Sequence, residues 1–318
     1  MAKQAVLLLA HGTPETIDQI PEYLRNVTSG RPLPQAVVEE IQHRYSLIGK
    51  SPLTEITFAQ ARLVEAELAA QGRAVPVYVA MRNWRPYIPD VMKKMREDGI
   101  EEAAVICLAP QNSRTSVGLY RRSVEAEAGS IRFDFTAGWA DHPLLAEAFA
   151  ERLRPALAKL SAEAGQQVPV LFTAHSVPVR TVQPPTEAPG GRPSPGPDPY
   201  ADEARHTAEL VAARVPEIGR WWFAFQSQGA SGGPWLGPSV EDTLVEIAAA
   251  GFKFVLLQPI GFLCDHVEIL FDVDNLFRGF ASNLAMRLER PESLNESPTL
   301  ARAVAELAHR SLDRFGAP

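Results

Sequence analysis

A-V-L-L-L-A-H-G-T-P at residues 5–14 and V-L-F-T-A-H-S-V-P at residues 170–178 are two versions of one phrase, an apolar strand running into A-H-x-x-P. A strand apolar at every position, rather than at alternate ones, is suited to burial on both faces of a parallel sheet. The two histidines, His11 and His175, stand about half the chain apart. If the echo is a duplication, two similar α/β halves follow, each with a histidine at the carboxyl end of its first strand. That is where open α/β sheets bind their ligands. Chance similarity between short apolar strands is the competing explanation.

The segments around these strands keep the same alternation. Helical periodicity covers about 16–27, 35–47 and 55–70, then a strand at 76–81, a helix near 87–98 and a strand at 103–108. A helix near 114–128 and a strand at 131–136 complete the first half. A long helix over about 142–164 leads to the second histidine strand. Beyond it come a helix at 200–214, a strand at 220–226, a helix at 239–250, an apolar strand at 252–257 and an amphipathic helix near 298–314. Such alternation is the pattern of a doubly wound α/β sheet. The segment Pro184–Pro199 is so rich in proline and glycine that it reads as an extended surface excursion without regular structure.

Composition narrows the class of function. A hydrophobic content of 46% and a charged content of 22% are those of an ordinary soluble globular protein. The net charge of -7 argues against a nucleic-acid partner, which favours a basic face. Cys107 and Cys264 are too few for a disulfide framework or a thiolate metal site, and a reducing cytoplasm fits. No apolar run is long enough to span a bilayer, and the N-terminus is interrupted too soon for a signal peptide.

The densest chemistry lies in Q-P-I-G-F-L-C-D-H-V-E-I-L-F-D-V-D-N, residues 258–275. If Asp265 opens a helix, Asp265, Glu268 and Asp272 form one stripe of one face. Three stacked acids repel one another unless something positive lies against them. A solvated surface helix capped by Asp265 remains the alternative. His175, at a strand mouth, is the natural partner: imidazole suits iron, zinc, copper and nickel, and it accepts a proton near neutral pH. Glu268 would complete such a site. The loop I-G-K-S-P-L with Arg44, Tyr45 and Ser51 suits a ligand carboxylate. The run at 222–238 offers a glycine-rich loop and Trp235 as an aromatic wall, but no phosphate-loop or dinucleotide pattern accompanies those glycines.

Eight motifs in order resemble the ferrochelatases: G-T-P-E at 12–15, R-Y-S-L-I-G-K-S-P-L at 44–53, L-A-P-Q at 108–111, F-T-A-H-S-V-P at 172–178, D-P-Y at 198–200, Q-S-Q-G at 226–229, W-L-G-P at 235–238 and P-I-G-F-L-C-D-H-V-E-I-L-F-D-V-D at 259–274. The resemblance runs nearly end to end. It implies two Rossmann-like doubly wound parallel-sheet halves, 1–140 and 141–318, with a porphyrin cleft between them and the chain end packing back on the first half. It implies insertion of Fe²⁺ into coproporphyrin III or protoporphyrin IX, with the metal as substrate, in haem biosynthesis. His175 and Glu268 match the catalytic and metal-binding pair, and Asp272 matches an outer acid on the same helix. Arg44, Tyr45, Ser51, Tyr120, Ser227 and Trp235 are the candidate residues for binding the substrate.

Departures accompany these matches. His11 replaces a tyrosine or methionine of relatives, on the opposite porphyrin face, which makes it a candidate axial ligand of the porphyrin iron. Leu276 stands where many relatives have a further acid, and Thr28 and Ser29 where some have arginines. No cysteine-rich C-terminal extension is present, so no iron–sulfur cluster is expected; the resemblance implies no organic cofactor. The stretch at 28–41 is short and mixed in polarity, which favours a soluble cytoplasmic monomer and tilts the substrate toward coproporphyrin III. Competing readings are a cobalt or nickel chelatase acting on sirohydrochlorin, and a non-catalytic haem or porphyrin carrier. From the residues themselves, Asp265 is expected to cap its helix and His266 to support the site from behind.

Overall fold

The computed structural model describes residues 2–183, 187–188, 192–193, 196–228 and 233–316. The strands in chain order are β1 (Gln4–Ala10), β2 (Val77–Met81), β3 (Glu102–Cys107), β4 (Arg132–Thr136), β5 (Val170–His175), β6 (Glu187–Ala188), β7 (Arg192–Pro193), β8 (Trp221–Gln226), β9 (Phe254–Pro259) and β10 (Arg287–Glu289). The helices are α1 (Ile20–Val27), α2 (Gln35–Ile48), α3 (Leu53–Ala70), α4 (Ile88–Glu97), α5 (Val117–Glu127), α6 (Pro143–Ala164), α7 (Val179–Val182), α8 (Tyr200–Arg214), α9 (Val240–Ala249), α10 (Arg278–Asn283) and α11 (Pro298–Asp313), with a π-helix at Glu268–Phe277.

Two four-stranded parallel sheets carry the architecture, in the orders β2-β1-β3-β4 and β10-β9-β5-β8. Read from the opposite edge, the second order repeats the first, with β5 in the place of β1 and β9 in the place of β3. The echoed phrases therefore occupy equivalent strands. In each sheet the order reverses beside the histidine strand, between β1 and β3 and between β5 and β9, which opens a crevice at the strands' carboxyl ends.

Burial explains the continuous apolar runs. Val6, Leu7, Leu8 and Leu9 are fully buried, as are Val170, Leu171 and Phe172. Alternate residues of β1 face opposite layers. Ala5, Leu7 and Leu9 meet α4 and α5, whereas Val6, Leu8 and Ala10 join a core that runs through α6 to Phe172 and Ala174 of β5. The last helix, α11, contributes Leu300, Val304 and Leu312 to this shared core and packs against α3 and α6.

Two expectations change. The Pro184–Pro199 segment is not wholly irregular, because β6 and β7 pair as a short antiparallel ribbon. The acid row does not lie on an ordinary α-helix. Its residues from Glu268 onward form a π-helix, whose wider i→i+5 turns are rare and frequently found at functional sites. The helix is anchored on the second sheet by Ile269, Val273 and Phe277, all buried with Leu171, Val255 and Leu257.

Phe172 lies fully buried with its ring 5.6 Å from Trp221. Phe172→Ala is expected to lower the free energy of unfolding by about 3–5 kcal/mol in urea titrations, the usual cost of emptying a large aromatic site. A loss below about 1 kcal/mol would mean that the core at β5 collapses readily around the void.

Candidate active site

The carboxyl ends of both sheets open on one cavity of about 320 Å³, lined from the first sheet by His11, Gly12, Thr13, Arg82 and Leu108 and from the second by His175, Gly261 and Phe262. That volume is in the range of small-molecule sites. The loops beyond β3 and β9 meet there, since the Gln111 side-chain amide donates to the Ile260 carbonyl at 3.2 Å. Two glycines permit the close approach. At Gly12, with φ of +84°, a Cβ would stand 2.8 Å from Trp84 Cβ. At Gly261 it would stand 3.3 Å from Ala174 Cα, beside the histidine strand.

His175 is the last residue of β5, and its carbonyl accepts from the Tyr200 hydroxyl at 2.8 Å. Its Nε2 lies 3.3 Å from Glu268 Oε1, with about a third of each side chain exposed, 32% and 33%. Sequence spacing could not bring these two together, and the fold does. Burial opposes the charged imidazole, but the Glu268 carboxylate outweighs it and the His175 pKa is raised. Burial likewise opposes the carboxylate, but His175, and more weakly His266 and His11, hold Glu268 well below the ordinary carboxylate range. The pair favours imidazolium facing carboxylate.

Asp272 is buried, four residues along the π-helix. Its carboxylate takes Arg44 Nη1 at 3.3 Å and the Ser227 hydroxyl. Burial and the nearby Glu268 charge push its pKa up to about 6, against the pull of Ser227 and Arg44. Arg44 also pairs with Glu40 at 3.0 Å and lies over Phe271, 5.0 Å from the ring centre. Arg44, Ser227 and Asp272 thus form a cluster beside the cavity rather than in its lining. Trp235 also lies outside the lining, its backbone bridged to Pro178. Residues 229–232 of the glycine-rich loop lie outside the described residues. Tyr45, Ser51 and Tyr120 do line the cavity. The Tyr45 hydroxyl is 2.9 Å from Thr13 Oγ1, and Ser51 Oγ is buried without a partner.

Two expectations are corrected by the geometry. Asp265 does not cap the helix, because Val267 holds the N-cap position. Its carboxylate instead accepts from Ser293 at 2.7 Å and Asn295 at 2.9 Å and pairs with Arg290 at 3.2 Å, fastening the loop before α11. His266 does not stand behind the site but lines it, packed 4.3 Å from Phe262 between ring centres. Its Nδ1 accepts the Glu268 backbone N–H at 3.2 Å, so the neutral ring carries its proton on Nε2, which has no partner.

His11 lines the cavity, but both ring nitrogens are engaged. Nε2 is 2.9 Å from Asn83 Nδ2, and Nδ1 is 3.1 Å from both the Gly12 carbonyl and the Tyr23 hydroxyl. Burial, then the charge of Arg82, lowers its pKa to about 4, so the ring is neutral. In this arrangement His11 presents no free lone pair to an iron. Residues outside the candidate set also line the cavity, among them Arg82, Gln111 and Tyr200, the last two within the L-A-P-Q and D-P-Y motifs. For Arg82, position just beyond a strand end was the one available signal.

A family model described as Ferrochelatase matches residues 3–312. The chain belongs to the ferrochelatase family. It is therefore a lyase of haem synthesis, inserting iron into a porphyrin. A ferrochelatase of Acidobacterium capsulatum is 58% identical over 318 residues, covering 99% of this chain and 96% of that one. A coproporphyrin III ferrochelatase of Mycolicibacterium vanbaalenii is 36% identical over 96% of this chain and 89% of that one. The solved sirohydrochlorin chelatase SirB of Bacillus subtilis subspecies spizizenii, in complex with cobalt, has a TM-score of 0.55 at 13% identity, covering 98% of each chain. That likeness is one of fold. Among the described residues no helix is long and apolar enough to cross a membrane.

Because Glu268 is what raises the His175 pKa, Glu268→Gln is expected to lower it. Titration of the imidazole by NMR measures this directly. An unchanged or higher value would show that the raised pKa has another origin.

Proposed function

We propose that His175 and Glu268 together receive Fe²⁺ and accept the protons displaced from the porphyrin. The contact between His175 Nε2 and Glu268 Oε1, 3.3 Å at the meeting of the two strand-end crevices, carries this reading. Two pyrrole N–H protons must leave as a divalent metal enters, so the site needs a base and a metal ligand beside the macrocycle. The porphyrin brings four nitrogens of its own. Two protein donors are enough to hold the metal briefly, and so weak a site gives the metal up to the macrocycle. Among the described residues no group of three or more His, Cys, Asp or Glu is arranged to hold a metal ion.

The resting ion pair has a consequence for the order of events. An imidazolium cannot accept a proton or bind a metal. The arriving cation must displace the proton from His175, which leaves to solvent by way of the neighbouring Asp272, and the adjacent carboxylate, low in pKa, is already ionised to draw the cation in. The neighbouring Asp272, with its pKa near 6 and its Ser227 and Arg44 partners, is suited to pass a cation or a proton toward the pair. As porphyrin we favour coproporphyrin III, in line with the mixed polarity of residues 28–41.

His175→Ala is expected to abolish Fe²⁺ insertion while porphyrin binding, followed by fluorescence quenching, persists. Substantial insertion by that variant would remove His175 from the role. Side-by-side turnover of coproporphyrin III and protoporphyrin IX with Fe²⁺ should favour the former, and the opposite order would overturn the substrate assignment.

A further inference from the structure

Buried hydrogen-bonding atoms normally have partners, and those left without one call for an explanation. Three of them line the same cavity: Ser51 Oγ, Arg82 Nε and His266 Nε2. Each can donate. Arg82 stands out because it carries charge. It directly follows β2, with its backbone N–H donating to the Ala10 carbonyl at 3.0 Å, and its guanidinium lies 5.4 Å from the centre of the Tyr120 ring. Arg290, Arg44 and Arg114 each have a carboxylate within 3.5 Å, at 2.8, 3.3 and 3.5 Å. Arg82, half-buried, has none among the described residues. A guanidinium withdrawn from water without a counter-charge is costly, and the cost is recovered when an anion meets it.

The surroundings favour such an anion. Thr115 and Ser116 line the same cavity at the start of the eleven-residue α5, and Ser116, its N-cap residue, makes no side-chain capping bond. The backbone N–H groups of Ser116, Gly118 and Leu119 already donate within the turn, so what the helix start adds for negative charge is its dipole. Tyr120, the fourth residue of α5, is the ring beneath the guanidinium. Ser51 Oγ, on a residue only 1% exposed, adds an unpartnered hydroxyl to the cavity wall. Glu268 supplies negative charge to the same cavity, so its polarity is divided between a metal-attracting acid and an anion-attracting arginine.

We propose that Arg82 binds a carboxylate arm of the tetrapyrrole, assisted by the first turn of α5, and thereby sets the substrate's orientation and the preference for acid side chains. This rests on the porphyrin reading above. Arg82 acts on the rim of the substrate and takes no part in proton transfer.

The test is binding without metal, so that it does not depend on insertion. Coproporphyrin III and its neutral tetra-amide are titrated by fluorescence quenching into the unsubstituted protein, Arg82→Gln and Arg82→Lys. Charged hydrogen bonds of this kind contribute enough for Arg82→Gln to weaken the tetra-acid about tenfold or more. The amide should change by less than about twofold, since it brings no charge to the site. Arg82→Lys keeps the charge but loses the fork, so it should bind the acid with intermediate affinity, and it serves as the test if Arg82→Gln does not fold. In turnover, KM for the acid should rise more than kcat falls. Equal weakening of acid and amide, no weakening of either, or a loss confined to kcat would overturn the proposal. If the unsubstituted protein bound neither compound, the porphyrin reading would fail first and this one with it.

Discussion

An acid and an imidazole held 3.3 Å apart at the floor of a cavity are the constraint around which this chain is built. Burial disfavours the charge on each of them. Their mutual attraction keeps both ionised, and it requires that two segments far apart in sequence end at one point. On one side β5 stops at His175. On the other, β9 gives way to the Gly261 turn, which approaches the β5 backbone closely enough that a side chain there would be tight, and then to the π-helix that presents Glu268. The core beneath Leu171, Ile269 and Val273 fixes the helix against the sheet and so fixes the pair.

The repeated topology shows how one plan can supply two unlike walls. β1 and β5 occupy equivalent places in their sheets, and each leads into a histidine. Around His175 the neighbouring groups are acidic, and the ring is drawn toward its charged form. Around His11 the neighbours are Asn83, Tyr23 and Arg82, and the ring is held neutral with both nitrogens occupied. The two walls thus differ in charge, acidic groups lying beside His175 and Arg82 beside His11.

Much of the fold was legible because the physics was local. The all-apolar runs of β1 and β5 declare burial on both faces, and the A-H-x-x-P echo marks equivalent strand ends. The pairing of His175 with Glu268 was suggested by residue chemistry and carried by family resemblance, since nothing in spacing brings two such distant residues together. Local reading failed where a distant partner decides the outcome. Asp265 looks like a helix cap from its neighbours, but Ser293, Asn295 and Arg290 claim it. Arg44 and Ser227, candidate ligand contacts, also have a distant partner that spacing does not show, Asp272. The π-helix was hidden because an acid every three or four residues suits an ordinary helix as well. Arg82 was invisible for a further reason: its significance is the lack of a counter-charge, which no sequence pattern records.

If His175 and Glu268 act as one unit, losing either should cost about as much as losing both, because the survivor can neither hold the metal nor take the proton by itself. The decisive measurement is therefore the Fe²⁺-insertion rate, at saturating porphyrin, of His175→Ala, Glu268→Gln and the double variant. The account predicts a double variant no slower than the worse single one. Losses that multiply would show two independent contributions and contradict it.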